Sequence, residues 1–407
     1  MSTELPGDPS SLDRLRGYAR RIHEDEVALL CELARIPAPT GHEERRAAFV
    51  ADWLRAAGAP RVRVDERNNV LCLLSSPHGD EAGAAAAQRP LRIFAAHTDV
   101  VFDDVEALPL RRQGAHLCAP GVGDDSANLV GLLCACRYLL EHPEDLARAT
   151  RDHDLLVVAD AGEEGLGNLA GTTWLFDTLA REGRSVKSFV SFDLYLPQCV
   201  CRAVGSHRWR LAVDCQGGHS YHDAGRVNAI EVLCRAIGLF YGIQPPSDKD
   251  TGAVTTRNVG RIEGGGAVNA IAAHAEALVE YRSESEANLA RMRAAFEGMV
   301  GRLRDELGAQ AHVTATLMGR RPGNGPVGAG ELERLTARSA ALIRAVTGEE
   351  PDLSPASTDA NVPLSRGIPA NTVGTVRGAL LHTRDEWVDA ASLEDGLVLI
   401  LGLMLGL

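Results

Sequence analysis

Short apolar runs that stop at a charged residue recur along this chain. LRIFAAHTD (91–99) ends in His97 and Asp99, DLLVVADAGEE (154–164) in Glu163 and Glu164, and SVKSFVSFD (185–193) in Asp193. Apolar runs of this kind, rich in β-branched residues, predict strands of a parallel sheet buried on both faces. Helical patterns lie around and between them. Residues 12–57 are helical except where Pro37, Pro39 and Gly41 break IPAPTG, a segment near 127–142 is apolar nearly all round, and another helix is expected near 168–182. RVRVDERNNVLCLLSS reads as one more strand, and GDEAGAAAAQRP as a low-complexity loop. The alternation predicts an α/β fold with a doubly wound, mostly parallel sheet.

After about residue 205 the texture changes. SHRWRLAVDCQGGHS alternates as an amphipathic strand, NAIEVLCRAIGLFYGI is helical, and TTRNVGRIEGG and AEALVEYRSE alternate again. A long amphipathic helix, SEANLARMRAAFEGMVGRLRDEL, and the strand AHVTATLMG complete a split βαβ, ferredoxin-like pattern. From about 318 the α/β texture returns, with a helix over 331–347, the strand-like IPANTV and a closing helix over 391–405. The expected organisation is one domain from residues 1–204 and 317–407, with a lid or dimerisation domain inserted over 205–316.

Composition narrows the class. With 42 basic and 55 acidic residues the net charge is −13, and no Lys/Arg stripe stands out, so nucleic acid is not an expected partner. The polar start MSTELPGDPS has no apolar segment behind it, and no run of about 18 apolar residues occurs, so neither a signal peptide nor a membrane span is expected. The nine Cys are scattered in mostly apolar surroundings and form no C-x-x-C pair, which reads as reduced core thiols in a cytoplasmic protein.

The charged strand ends carry the chemistry. In open α/β sheets ligands bind at the carboxyl ends of the strands. Carboxylates and imidazoles gathered there, with hardly a basic residue among them, would repel one another unless a cation is held between them. His with carboxylates and without thiolate suits zinc, manganese or cobalt at a reactive site. No GxGxxG follows the first strand, which argues against a nucleotide-binding oxidoreductase.

Taken in order, HTD, GVGDDSAN, DAGEEGLGN, SFD, GGHSYHDAGRVNAI, EYRS, STDAN and LLHTRDEW resemble the di-zinc exopeptidase and deacylase family. Peptidase T, glutamate carboxypeptidase, acetylornithine deacetylase and succinyl-diaminopimelate desuccinylase belong to it. Any one motif occurs by chance, whereas the ordered set spans the chain from about residue 25 to its end. The resemblance implies His97 and Asp193 on one ion, Glu164 and His382 on a second, and Asp124 bridging the two. It makes Asp99 the orienting partner of His97 and Glu163 the general base. His219, ahead of its neighbour His222, would polarise the scissile carbonyl, from the opposite subunit in dimeric members. Asn269, Arg282 and Asp359 fall at substrate-holding positions, and Gly374 near the second ion. Three departures stand out: Ser126 where the family usually has Lys, LYLP after Asp193 in place of a Gly-rich stretch, and Ala272 where Pro is common.

The expected function is hydrolysis of an amide bond in small peptides by a homodimer with two Zn2+ per chain, Co2+ or Mn2+ being alternatives. Action on an N-acyl amino acid, as a deacylase or carboxypeptidase, is the second reading. A catalytically silent metal-binding scaffold is the third, although it would be expected to lack the base or a ligand.

Overall fold

The computed structural model describes residues 9–75, 89–247 and 252–407. Residues 79–88 of the low-complexity loop lie outside them. The chain forms two units, one made of the residues up to Arg202 together with Pro326–Leu407, the other of Ala203–Gly325.

The first unit is built on a seven-stranded sheet whose centre is parallel. Leu91–His97 lies between Asp154–Asp160 and Val186–Phe192, parallel to both, and Ala370–Val373 extends the sheet beyond Val186–Phe192 in the same sense. All seven residues of Leu91–His97 and of Asp154–Asp160 are buried, Arg92 among them with its guanidinium donating to the Leu403 carbonyl. After Leu91–His97 the chain turns to one neighbour and later crosses to the other, so Leu91–His97 stands at the switch point of the sheet. Helix Asn128–Glu141 packs with Phe94 and Ala96 on one face, while Phe176 of helix Ala170–Arg181 meets Phe189 on the other. Helices leaving on opposite faces open a crevice over His97, where this class of sheet binds its ligands.

RVRVDERNNVLCLLSS is not one strand. It folds as a hairpin, Val62–Val64 against Val70–Leu74, turned by Asp65, whose carboxylate accepts the backbone N–H groups of Arg67 and Asn69. Asn68 takes the left-handed conformation there, at φ 64°. A second, four-stranded sheet ties distant parts of the unit together. Within it Trp387–Asp389 pairs antiparallel with His116–Cys118, which brings the HTRDEW segment beside the turn that holds Asp124.

In the second unit the strands Thr255–Gly264, His274–Ser283, Gly205–Cys215 and Ala311–Arg321 form an antiparallel sheet in that order. Helices Ala229–Gly242 and Glu286–Leu307 cover one face around Trp209, Phe240, Tyr281 and Phe296. The last strand runs past residue 316, because an irregularity between Leu317 and Gly319 lets the polar Gly-Arg-Arg stretch continue the ladder. At the base of the unit Ala203 N–H donates to Asn324 Oδ1 at 2.9 Å, and Asn324 Nδ2 donates back to the Ala203 carbonyl at 3.2 Å. All nine cysteines are free, five of them buried. Among the described residues no helix is long and apolar enough to cross a membrane.

Candidate metal centre

Parallel register levels the strand ends. His97 is paired with Asp160, and Asp193 follows directly on Val186–Phe192, so His97, the 161–164 loop and Asp193 meet along one rim. Asp124 comes from the turn ahead of helix Asn128–Glu141, with extended rather than helical dihedrals (φ −108°, ψ 86°). Its carboxylate divides between two imidazoles: Oδ1 lies 2.9 Å from His97 Nε2, and Oδ2 lies 3.0 Å from His382 Nε2. His382 Nε2 also lies 3.0 Å from Glu164 Oε1. His97, Asp124, Glu163, Glu164 and Asp193 are all buried, whereas His382 is half-exposed. His382 is held in the left-handed region at φ 60°, a conformation that costs energy in a residue with a Cβ.

The imidazole of His97 is set by its other nitrogen. Nδ1 is 3.1 Å from the backbone carbonyl of Asp99 and 3.4 Å from that residue's Oδ1, so the main chain is its nearer partner. The Asp99 carboxylate has other donors: Oδ1 accepts the backbone N–H of Glu163, and Oδ2 accepts those of Glu164 and the Thr40 hydroxyl. One residue therefore steadies the ring, chiefly through its carbonyl, and both glutamates through its carboxylate. Asp125 accepts the His97 backbone N–H at 2.8 Å and the Asn128 amide at 2.7 Å.

The electrostatics are those of a crowd of carboxylates. Burial, reinforced by the Asp124 charge, lifts Asp193 well above the usual carboxylate range. Burial also lifts Glu164 to about 7, with Asp124 and Glu163 adding to it against the His382 hydrogen bond. Burial opposes a proton on His97, yet Asp125, Asp124 and Asp99 outweigh it and raise the ring well above its ordinary value. Hydrogen bonds to Asp124 and Glu164 push His382 up to about 10. Against its own burial, those two imidazoles hold Asp124 well below the usual range.

Protons on the imidazoles thus balance the carboxylates where divalent ions could do so. Among the described residues three sets have ligand atoms within 4.8 Å of one another: Asp124, Glu164 and His382; His97, Asp125 and Asp193; and His97, Glu163 and Glu164. Two atoms each about 2.0–2.1 Å from a tetrahedral ion lie roughly 3.3 Å apart, so the observed separations of 2.9–3.0 Å fit a shared ion with a small outward movement. The donor set fits as well, being imidazole and carboxylate throughout.

Asp359 is buried beside the end of strand Asp154–Asp160. It is 1% exposed, with Oδ1 at 2.6 Å from the Thr172 hydroxyl, which also lies 2.9 Å from Asp160 Oδ2. Burial and the neighbouring Asp160 raise it well above the carboxylate range. The acid is held against Thr172, which it shares with Asp160.

In the second unit His219 and Asn269 come together. The short strands Gly218–His219 and Ala270–Ile271 pair, and Ser220 N–H donates to the Asn269 carbonyl. His219 Nδ1 accepts the backbone N–H groups of Tyr221 and His222 at 3.2 and 3.4 Å, which leaves Nε2–H as the outward donor. Gly218 has φ 151°, and a Cβ there would meet the Asp223 carboxylate at 2.6 Å, the same carboxylate that accepts the His219 N–H. Arg282 is at the far end of strand His274–Ser283, where its Nε donates to Glu280 Oε1 at 3.1 Å. Eight residues of strand separate it from His274, roughly 26 Å.

The profile of peptidase family M20/M25/M40 matches residues 93–405. The chain belongs to that family. Among solved structures, the M20 chain resembles the aminopeptidase PepT from Bacillus cereus at 21% identity and TM-score 0.65, over 94% of this chain and 98% of the other. Human carnosine dipeptidase 1 matches at 15% identity and TM-score 0.72, over 98% and 99% of the two chains. The M20 family metallo-carboxypeptidase Sso-CP2 from Sulfolobus solfataricus matches at 14% identity and TM-score 0.70, over 93% and 98%. No curated protein sequence matches. Membership makes the chain a metal-dependent hydrolase of the peptidase class.

Two residues of this M20 centre escape a reading of the sequence. Asp125 looks redundant beside Asp124, and only the fold shows it turned back to the His97 main chain. Glu386 sits in the HTRDEW segment, four residues after His382, where it reads as a surface charge ahead of a strand; it is 1% exposed. Four-residue spacing from a candidate ligand was the one available signal.

Proposed function

We propose that the chain hydrolyses the amide bond of small peptides at a centre of two divalent ions, zinc in the first instance. His97 and Asp193 would hold one ion and Glu164 and His382 the other, with Asp124 shared between the two sets. The observation that carries the reading is the Asp124 carboxylate, one oxygen at 2.9 Å from His97 and the other at 3.0 Å from His382. When bound, the ions polarise the scissile carbonyl and lower the pKa of a water beside Glu163. Glu163 removes the proton from that water and returns it to the leaving amine. Asp99 fixes the main chain of Glu163 during both transfers. His219 offers Nε2–H to the carbonyl oxygen as charge develops there.

We infer further that the working form is a homodimer. His219 and Asn269 lie on the short strand pair next to the His274 end of strand His274–Ser283, and Arg282 lies towards its other end, roughly 26 Å from His274 along the strand. One small substrate can meet both only if they come from different copies. Edge strand Thr255–Gly264, with Ile262 exposed, and the exposed Leu239 and Tyr241 of helix Ala229–Gly242 supply an apolar surface for a two-fold contact. The free thiols support a reducing, cytoplasmic setting.

A silent scaffold is disfavoured, because the base and every ligand position are filled. The named activities of the similar structures divide between amino- and carboxy-terminal cleavage, so N-acyl amino acids stay as the second substrate class. The test is hydrolysis of dipeptides, tripeptides and N-acyl amino acids alongside metal analysis. Close to two ions per chain, and activity that chelation removes and metal restores, is the expected result; full activity in metal-free protein would overturn it.

A further inference from the structure

Resting on the metal reading above, we propose that Glu386 is a positioning residue that holds the segments bearing Asp124, Asp193 and His382 in one arrangement and so sets the affinity for both ions together. It belongs to none of the sets that could bind an ion. Its carboxylate is nonetheless fully used. Oε2 accepts the backbone N–H of Gly121 at 2.7 Å, and Oε1 accepts those of Gly123 at 2.9 Å and Asp124 at 2.8 Å together with the Tyr195 hydroxyl at 2.9 Å. Four donors match the roughly four lone-pair sites that a carboxylate offers. Bonds to an ionised acceptor are about twice as strong as neutral ones.

Each contact leads to a ligand. The three amides belong to the turn that delivers Asp124, which is left with no freedom about its own nitrogen. Tyr195 is two residues beyond Asp193. Glu386 is four residues beyond His382, and its own carbonyl accepts the Ala119 N–H at 3.1 Å at the start of the same turn.

The glycines nearby exist to let this convergence happen. A Cβ on Gly123 would come within 2.6 Å of the Tyr195 ring and 2.9 Å of Glu386 Oε1, and one on Gly378 within 2.5 Å of the same ring. Gly374 lies against the Tyr195 carbonyl, where a Cβ would stand 2.2 Å away. Gly121 takes φ 67°, a left-handed conformation that turns its N–H towards the carboxylate. The ring thus sits in a slot cut by Gly123 and Gly378, with Gly374 letting the chain approach the Tyr195 backbone.

A group that orients ligands typically changes metal affinity 10–100-fold when lost. The readout that separates positioning from mere stability is how many ions are weakened. Metal-free wild type, Glu386→Gln, Tyr195→Phe and His382→Ala are titrated with Co2+ against a competing chelator, following the visible absorption of the bound ion. Glu386→Gln, which turns an amide donor onto backbone N–H groups, is expected to weaken both binding steps about 10–100-fold. His382→Ala should remove one step and leave the other, and Tyr195→Phe, which leaves the amide contacts in place, should change either step only a few-fold. A Glu386→Gln that melts earlier yet fills both sites with wild-type affinity would overturn the proposal and leave a structural glutamate. If that variant does not fold, Glu386→Asp keeps the charge, withdraws the oxygens by one methylene and is expected to weaken both steps likewise; two unchanged affinities there would overturn it equally. A wild type that takes up no ion would overturn the metal reading and the clamp with it, whereas a two-ion wild type beside an unaffected variant would overturn the clamp alone.

Discussion

The backbone N–H of Glu163 donates to Asp99 Oδ1 at 3.0 Å, so the residue behind the His97 ring also fixes the proposed base. This coupling sets the consequence of losing Asp99. Asp99→Asn places a donor against at least one of the three donors its carboxylate receives, and both the base and a ligand lose their support. Turnover should fall roughly 10–100-fold, with metal content reduced but measurable. Steady-state kinetics with metal analysis on the same sample check this, and unchanged kcat would detach Asp99 from both neighbours.

Adjacent glutamates should fail differently. Glu163→Gln is expected to keep its metal and lose roughly 10²–10⁴-fold in kcat, the worth of a general base. Glu164→Gln removes a charge that faces His382 at 3.0 Å and should mainly weaken metal binding. Dialysis against graded chelator, followed by kinetics with saturating metal, separates the two. If Glu164→Gln keeps its metals and loses turnover while Glu163→Gln works normally, the roles exchange.

Much of the centre was legible because strands that run into a buried rim must end in the residues the rim needs. His97, Glu163, Glu164 and Asp193 each follow an apolar run, and that pattern survives in any single sequence. Residues that hold ligands by backbone contacts leave no such trace. Asp125 acts on the His97 main-chain N–H, and Glu386 on main-chain N–H groups whose position depends on pairing between distant segments, Trp387–Asp389 with His116–Cys118. The hairpin at 62–74 was hidden because its turn is polar without glycine or proline, and depends on Asn68 tolerating φ 64°. The STDAN motif carries no sign that Asp359 is buried: an acid beside a site reads the same whether it faces solvent or the core.

His219 gives a test of assembly. An oxyanion donor contributes about 2.7–4 kcal/mol, so His219→Ala should lose roughly 10²–10³-fold in kcat and retain its metal. Mixing His219→Ala with Glu163→Gln under subunit exchange should restore part of the activity if His219 serves the partner's site, because each mixed dimer then has one intact site. Proven exchange without recovery would confine His219 to its own chain, and a monomer at working concentration would remove the dimer.

A further expectation concerns stability. Glu26, on helix Pro9–Leu33, is fully buried and burial pushes its carboxyl up to about 8, the Glu394 charge adding to this and Arg137 opposing it. Because the folded pKa exceeds the unfolded value of about 4.3, its stabilising contribution is complete below pH 4 and is lost as pH rises to about 8. Relative to Glu26→Gln, the wild type should therefore lose stability over that window, by roughly 5 kcal/mol at most. Urea melts of both proteins at several pH values check it, since every other group titrates alike in the two; parallel curves would mean that Glu26 ionises normally in the fold.

The pair of hydrogen bonds between Ala203 and Asn324 has a consequence for the gene as much as for the protein. A chain that leaves for 123 residues and returns to its starting point, counted from Ala203 through Gly325, imposes almost no closure entropy on its host. Such a segment is a cassette. Cutting it out and joining residues 202 and 326 through a short flexible link should leave the remainder able to fold around the sheet that carries His97. The unit with the proposed ion ligands and the inserted unit can then be varied, exchanged or lost as separate modules, with neither required to relearn how to fold.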